Sequence, residues 1–361
     1  MKKLRVGIIG CGFIAEKHVK TLNRLSEQFT CYGLVDQKLE RAKAVNKLIY
    51  QPVEELTLYT DYQALIERTD IDVVIITAPS FLHGKMVIDS LLHDKHVIVE
   101  KPLSLSLEEA DHIIACSKKT GKHVLVCHQM RYRPLFQKIK SLFDKHQFGQ
   151  PYLATSSILL NRSEQYYKET DWRGTWQYDG GMLLNQGLHV ADLLIWYLGD
   201  IDWIFGKTTN FSTWKETEDL ALSMFKFKNG AYGSVTATSQ VQPHNLGYQL
   251  QFICEDGTLA INGPALNHIE HFHIKHQRMS ADKLINISTD TDDRYYMYQD
   301  FYQALTDEKH QPLMTASEAK NVLSFIYSLY QADKINQTVY PPLTTFSTMN
   351  MKEKDGEHND K

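Results

Sequence analysis

Cysteine is scarce and scattered in this chain. Cys11, Cys31, Cys116, Cys127 and Cys254 are odd in number and form no CxxC pair, so neither a disulfide framework nor a cysteine-built zinc site is encoded, and a reducing cytoplasm suits the chain. No run of about 18 uncharged apolar residues occurs, so no membrane-spanning helix and no membrane partner are expected. Neither sign of charge dominates: lysine and arginine total 39 against 43 aspartates and glutamates, a net charge of −4. That balance offers no broad basic surface for nucleic acid, although a local basic pocket for a small anion stays open. Lys2-Lys3 ahead of apolar Val6–Ala15 imitates a secretory leader, but Gly7, Gly10, Gly12 and the Glu16-Lys17 pair read instead as a strand turning into an amphipathic helix.

What is present is ordinary for a globular protein. The 361 residues, 43% apolar and 23% charged, suffice for two domains at about 150 residues each. Up to residue 127, short β-branched runs alternate with helix-period segments. The strand candidates are Leu4–Ile9, Cys31–Val35, Ile71–Thr77, His96–Glu100 and His123–Cys127, and their nearly continuous apolar character suits a parallel sheet covered on both faces. Ser106 with Glu109 makes a capping box, and Gly121 stands where a helix-ending glycine belongs.

After Pro134 the pattern changes to antiparallel hairpins. Residues 151–161 and about 201–275 are strand-rich, with Asn229-Gly230 and Asp256-Gly257 as turns. Thr315 and Glu318 cap a later helix carrying Val322, Leu323, Ile326, Leu329 and Tyr330 on one face. The class is therefore α/β followed by α+β.

Gly10-Cys11-Gly12-Phe13-Ile14-Ala15 follows the first strand and opens a helix. Glycines there permit a tight turn and close backbone approach to a pyrophosphate, and the helix N-terminus supplies N–H donors. Asp36 ends the second strand about 20 residues on, where a carboxylate binds ribose hydroxyls and repels the 2′-phosphate of NADP. NAD is thus the expected cofactor, with Lys38 and Arg41 near enough in sequence to permit dual use.

Glu100-Lys101-Pro102 ends the fourth strand candidate, which places a lysine at the carboxyl edge of the sheet, where ligands gather. Together with the glycine turn, Arg131-Tyr132-Arg133-Pro134 and Asn185-Gln186-Gly187-Leu188-His189-Val190-Ala191-Asp192, it resembles the Gfo/Idh/MocA family of nicotinamide-dependent sugar and cyclitol oxidoreductases. The resemblance spans nearly the whole chain. It implies an N-terminal Rossmann domain (1–127), an α+β substrate-binding and oligomerisation domain with a large open, mostly antiparallel sheet (128–345), and a homodimer or homotetramer. Polar, charged residues from Met351 onward complete a segment, 346–361, expected to be a disordered tail.

The resemblance also implies site residues. Lys101 and His189 match the lysine and histidine that flank the reacting carbinol, while Asn185 stands where relatives carry aspartate. Gly10, Gly12, Phe13, Ile14, Asp36, Thr77, Pro79, His83, Glu100, Lys101 and Gln129 form the implied cofactor set. Thr77-Ala78-Pro79-Ser80 departs from the family's Thr-Pro-Asn, and Gln129 from its asparagine. Oxidation of a secondary alcohol needs a base for the hydroxyl proton, and either an imidazole or a lysine amine can serve. Asn185 cannot titrate but can orient a hydroxyl, and spacing of four puts it on the His189 face of a helix.

Trp172-Arg173-Gly174-Thr175-Trp176, Asp179-Gly180-Gly181 and the Asn185–His189 run are similar to family members that oxidise the 3-hydroxyl of UDP-N-acetylglucosaminuronate. Arg173 offers a donor fork for a carboxylate or phosphate, and Trp172 and Trp176 offer faces for a pyranose. Lys101, Arg173, Trp172, Asn185 and His189 form the implied substrate set. Neither His93/His96 nor His268, His271, His273 and His276 makes a compact ligand set, so no metal is expected. The reading is an NAD-dependent dehydrogenase of a sugar or sugar derivative. Its rivals are an NAD-retaining glycoside hydrolase of the same fold, an inositol or simple-sugar dehydrogenase, and a catalytically silent NAD-responsive regulator.

Overall fold

A computed structural model describes residues 3–275 and 281–352. The chain divides into two compact units, Met1–Gln129 with Asp292–Lys320, and Met130–Thr291 with Asn321–Lys361. The first begins β1 (Leu4–Ile9), α1 (Phe13–Arg24), β2 (Phe29–Val35), α2 (Leu39–Asn46), β3 (Thr57–Tyr59) and α3 (Gln63–Ile66). It continues β4 (Val73–Ile76), α4 (His83–Leu92), β5 (His96–Val99), α5 (Leu107–Thr120) and β6 (Val124–Val126). The strands form one parallel sheet in the order β3-β2-β1-β4-β5-β6. Every residue of β4 is buried, as its unbroken apolar run requires. The chain winds outward from β1 to β3 and returns on the other side at β4, so the switch point lies at the carboxyl ends of β1 and β4. The cap and stop of α5 follow the sequence reading: Ser106 Oγ accepts from Glu109 N at 3.0 Å, and Gly121 has φ 68°.

The second unit contains α6 (Pro134–Asp144), β7 (Pro151–Leu159), α7 (Glu164–Lys168), a π-helical turn at Leu183–Gly187 and α8 (Leu188–Leu198). Six strands follow, in two runs of three sequential antiparallel neighbours: β8 (Ile201–Thr209), β9 (Leu220–Phe227) and β10 (Tyr232–Thr238), then β11 (Gly247–Cys254), β12 (Gly257–Gly263) and β13 (His268–Ile274), followed by α9 (Ala281–Ser288). The sheet runs β13-β12-β11-β7-β10-β9-β8, with β7 and β10 parallel and the other neighbours antiparallel. Strand alternation splits it into two faces. Ala154, Ile158, Phe225, Val235, Leu250 and Phe252 are buried, while Leu222, Met224, Tyr232 and Ile253 on the other face are exposed.

The chain then departs from the expected division. After α9, α10 (Asp293–Thr306) belongs to the first unit, where Tyr298 and Tyr302 meet Phe29 edge-on at 5.6 and 5.7 Å. Only from Asn321, within α11 (Ala316–Ile335), does it rejoin the second unit, with Phe325 edge-on to Phe225 at 5.1 Å. The first part of the expected tail is also ordered: Phe346, Thr348 and Met351 are buried, and Phe346 lies 5.1 Å from the Tyr327 ring. Apolar side chains delay the start of any polar tail, and 353–361 lie outside the described residues, as does His276. Among the described residues no helix is long and apolar enough to cross a membrane.

Arg131 and Asp192 explain one motif each. Arg131 Nε donates to both Asp192 oxygens at 2.9 and 3.0 Å, and Nη2 reaches Oδ1 at 2.7 Å, with both side chains almost wholly buried. The pair fastens the turn before α6 to α8, the helix that carries His189. Asp192→Ala removes the carboxylate from a buried guanidinium and is expected to lower the unfolding free energy by about 3–5 kcal/mol. Chemical denaturation followed by circular dichroism measures it; a loss below about 1 kcal/mol would contradict this account.

Candidate functional site

In the first unit the glycine turn is built by the switch point. Gly10 has φ 93°, and a Cβ there would lie 2.8 Å from the Thr77–Ala78 backbone, so only glycine fits. Its N–H donates to Val35 O at 2.8 Å, and Thr77 Oγ1 donates to its carbonyl at 2.5 Å. Asp36 is oriented by two backbone donors, Cys11 N to Oδ2 at 2.9 Å and Lys38 N to Oδ1 at 2.8 Å. Each oxygen keeps a lone pair for a ribose hydroxyl. Thus Gly10, Asp36 and Thr77 are locked together at the switch point.

The residues present fit a dinucleotide. Gly12 caps α1 without any side-chain cap, and a Cβ on it would meet nothing within 4 Å, which leaves the helix N-terminus open to a phosphate. Phe13 is 71% exposed at that opening, with Ile14 half-buried behind it. Gln129 Oε1 is buried without a hydrogen-bond partner, an acceptor that a bound group would satisfy. Pro79 sits half-buried just past the switch point.

Two residues of the implied cofactor set are otherwise engaged. His83 is buried, with Nδ1 2.7 Å from Pro102 O and Nε2 2.9 Å from Ala78 O, so it ties together the loops after β4 and β5. Glu100 is also buried. Its Oε1 accepts from His18 Nε2 at 3.1 Å and Arg294 Nη2 at 3.0 Å, and its Oε2 from Lys101 N at 3.3 Å. Burial pushes its pKa up, but the His18 hydrogen bond and the Arg294 charge outweigh that and hold the carboxyl well below its usual range. Burial lowers the His18 pKa. Because a carboxylate only accepts, His18 is the Nε2–H tautomer, and its Nδ1 accepts from Tyr298 O–H at 2.6 Å. His18, Glu100 and Cys127 bring ligand-type atoms within 4.8 Å of one another, yet the Arg294 cation occupies this carboxylate, and the set is a charge-pairing cluster. Lys101, half-buried, begins the loop just beyond it.

In the second unit, Asn185 and His189 are half-buried in the π turn and at the start of α8. Asn185 Nδ2 donates to Asp179 Oδ1 at 2.9 Å. Gln186 Nε2 reaches Tyr166 Oη at 3.3 Å, and Arg162 and Arg173 lie 5.3 and 4.5 Å from the Tyr166 ring centre. Arg173 also packs 5.6 Å from the half-buried Trp172 ring, but its Nη1 is already taken by Glu169 at 2.7 Å and Tyr166 O at 3.1 Å. Trp176 is no sugar platform: it is 2% exposed and edge-on to Tyr330 at 5.5 Å. Sequence reasoning missed Arg162 and Tyr166, and it quoted Asp179 in a motif without giving it a role. A basic residue four before Tyr166 was the available signal for the first two.

A parallel sheet with a glycine turn at its switch point and an acid at the end of β2 defines a dinucleotide-binding protein of the oxidoreductase type. Family comparison makes this specific. The profile described as "Oxidoreductase family, NAD-binding Rossmann fold" matches residues 4–128, and that of the GFO/IDH/MocA C-terminal domain matches 136–260. The chain belongs to the Gfo/Idh/MocA family, is an oxidoreductase, and has NAD as its cofactor. It is 26% identical to the WlbA dehydrogenase of Chromobacterium violaceum, solved with NADH and UDP-GlcNAcA, with a TM-score of 0.88 over 95% of this chain and 97% of that one. The Bordetella pertussis WlbA dehydrogenase shares the fold at TM-score 0.86 and 23% identity over 95% and 100%. The myo-inositol 2-dehydrogenase of Thermotoga maritima is 25% identical over 64% of this chain and 67% of its own.

The π turn rests on a titratable carboxyl. Glu218 is buried; its Oε1 accepts from Leu183 N at 2.9 Å and Tyr330 O–H at 2.6 Å, and its Oε2 has no partner. Burial raises its pKa from 4.5 to about 7, against the opposing pull of Lys215. An acid with a raised folded-state pKa holds its proton more tightly than the unfolded chain does. Its contribution to stability is full below pH 4.5 and is lost as pH rises towards about 7. Glu218→Gln should therefore flatten the fall of Tm between about pH 5 and about pH 8. An unchanged slope in thermal melts would contradict it.

Proposed function

We propose that the chain is an NAD-dependent dehydrogenase of a sugar secondary hydroxyl, acting on the 3-hydroxyl of a UDP-linked N-acetylhexosamine uronate. Three observations support this reading. The Chromobacterium violaceum neighbour, similar over nearly the full length, is a dehydrogenase solved with NADH and UDP-GlcNAcA. Two arginines, Arg162 and Arg173, stack on Tyr166, which is hydrogen-bonded to the residue next to Asn185, and guanidinium groups suit carboxylates and diphosphates. Trp172 beside Arg173 adds an aromatic face.

In this reading bound NAD would supply the acceptor for the hydride released by the carbinol carbon. The His189 imidazole and the Lys101 amine are the two groups able to take the hydroxyl proton, and the Asn185 amide orients the hydroxyl. Gly10, Gly12, Phe13, Ile14, Asp36, Thr77, Pro79 and Gln129 surround the cofactor, while His83 and Glu100 hold the loops that present it and Lys101. The exposed apolar face of the second sheet, with Leu222, Met224, Tyr232 and Ile253, supports a homodimer or homotetramer.

The test is a panel of UDP-hexosamines, their uronates, free hexoses and inositols, followed by NADH absorbance and by mass spectrometry for released monosaccharide. NADH formation with the UDP-uronate is expected, and Lys101→Ala and His189→Ala should each lower kcat by about a hundredfold or more with NADH affinity nearly unchanged. Full activity in both variants overturns the mechanism. Reduction only with inositols or simple sugars overturns the substrate, and release of free sugar without net NADH marks a hydrolase instead.

A further inference from the structure

We infer that Asp179 is the positioning residue that fixes which atom Asn185 presents to the substrate hydroxyl. The inference rests on the reading that Asn185 orients that hydroxyl. Asp179 is 3% exposed, and both of its oxygens are held. Its Oδ2 accepts from Gly174 N at 2.8 Å and its Oδ1 from Asn185 Nδ2 at 2.9 Å. Its own N–H donates to Thr175 O at 3.0 Å. The carboxylate is thereby anchored to the Trp172–Trp176 turn before it reaches Asn185.

An ionised carboxylate can only accept, whereas an amide side chain has a donor end and an acceptor end. Asp179 therefore selects the Asn185 amide orientation: Nδ2 faces the carboxylate, and Oδ1 is the other arm of the planar amide, turned away from it. Asn185 meets the sugar as an acceptor and takes a hydrogen bond from the hydroxyl it orients. The reversed amide would direct its N–H at that oxygen and leave the hydroxyl proton unaligned with either base. The carboxylate of the pair stands at Asp179, six residues before Asn185 and one hydrogen bond behind it.

This arrangement makes a reciprocal exchange informative. Asp179→Asn keeps its oxygen on the Gly174 N–H and turns an amide donor towards Asn185, which forces the Asn185 amide to reverse, so kcat should fall about tenfold or more while KM changes less. Asn185→Asp sets two carboxylates across a 2.9 Å contact, so the pair shares a proton and the pH profile of kcat gains a new limb. The double variant Asp179→Asn/Asn185→Asp restores one carboxylate and one amide with the bond reversed. Its kcat should return to within about threefold of wild type.

The four proteins are assayed with NAD and UDP-N-acetylglucosaminuronate across pH, with thermal melts and NADH titration alongside. A double variant no faster than the worse single variant overturns the inference, as does unchanged kcat in a folded Asp179→Asn. A second readout does not depend on turnover. In protein labelled with 15N-asparagine, the Asn185 Nδ2 protons should exchange slowly in wild type and fast in Asp179→Asn; equal, rapid exchange in both overturns the inference. Should Lys101→Ala and His189→Ala retain full activity, the functional reading fails while the exchange result still decides the role of Asp179.

Discussion

A carboxylate buried at the end of a parallel strand needs donors and cations around it, and at Glu100 that requirement shapes the whole first unit. His18 arrives from α1 and Arg294 from α10, and the Lys101 N–H completes the set. Tyr298, also on α10, fixes the His18 tautomer. Removing Glu100 or Arg294 would leave the other as a buried charge without its ion-pair partner, which costs far more than any exposed ion pair contributes. The return of 292–320 to the first unit follows from this, helped by the packing of Tyr298 and Tyr302 on Phe29. The same carboxylate bonds the first residue of the loop that carries the lysine amine, so electrostatic closure and the placing of Lys101 are one event.

The second unit solves a comparable problem with its own set of buried polar groups. The segment 172–187 has little regular structure, and its main chain needs partners. Asp179 takes the Gly174 N–H, Glu218 takes the Leu183 N–H, and Gly174 O accepts from the amides of Glu216 and Thr217. Lys215 neutralises the neighbourhood through Asp219 at 2.8 Å, both side chains being fully buried. A loop held at this many points keeps the Asn185 amide and the start of α8 in fixed register. Rigid supports of this kind are what the proposed proton-transfer role requires of the residues behind it.

Much of this was legible in the sequence because the signals are local. The glycine turn, the acid ending β2, the capping pairs Ser106/Glu109 and Thr315/Glu318 and the Asn229-Gly230 hairpin each depend on residues within a few positions of one another, and each lies where it was read. What the sequence hid depends on distant partners. Nothing near Arg294 marks it as the cation for Glu100, 194 residues away. Trp176 and Arg173 lie three residues apart in one motif, yet burial under Tyr330 assigns the first to the core. His83 and Glu100 look like ligand-facing residues by position, and only the carbonyls and cations around them show that they brace loops.

The proposed reaction removes hydrogen from one carbon of a nucleotide-linked sugar and passes it to NAD. Its most direct measurement is a single turnover with UDP-N-acetylglucosaminuronate carrying deuterium at C3, analysed by mass spectrometry of the recovered nicotinamide cofactor. The account predicts deuterated NADH and a slower turnover than with the protium sugar. Unlabelled NADH, or a rate indifferent to the isotope with the label retained on the sugar, would contradict it.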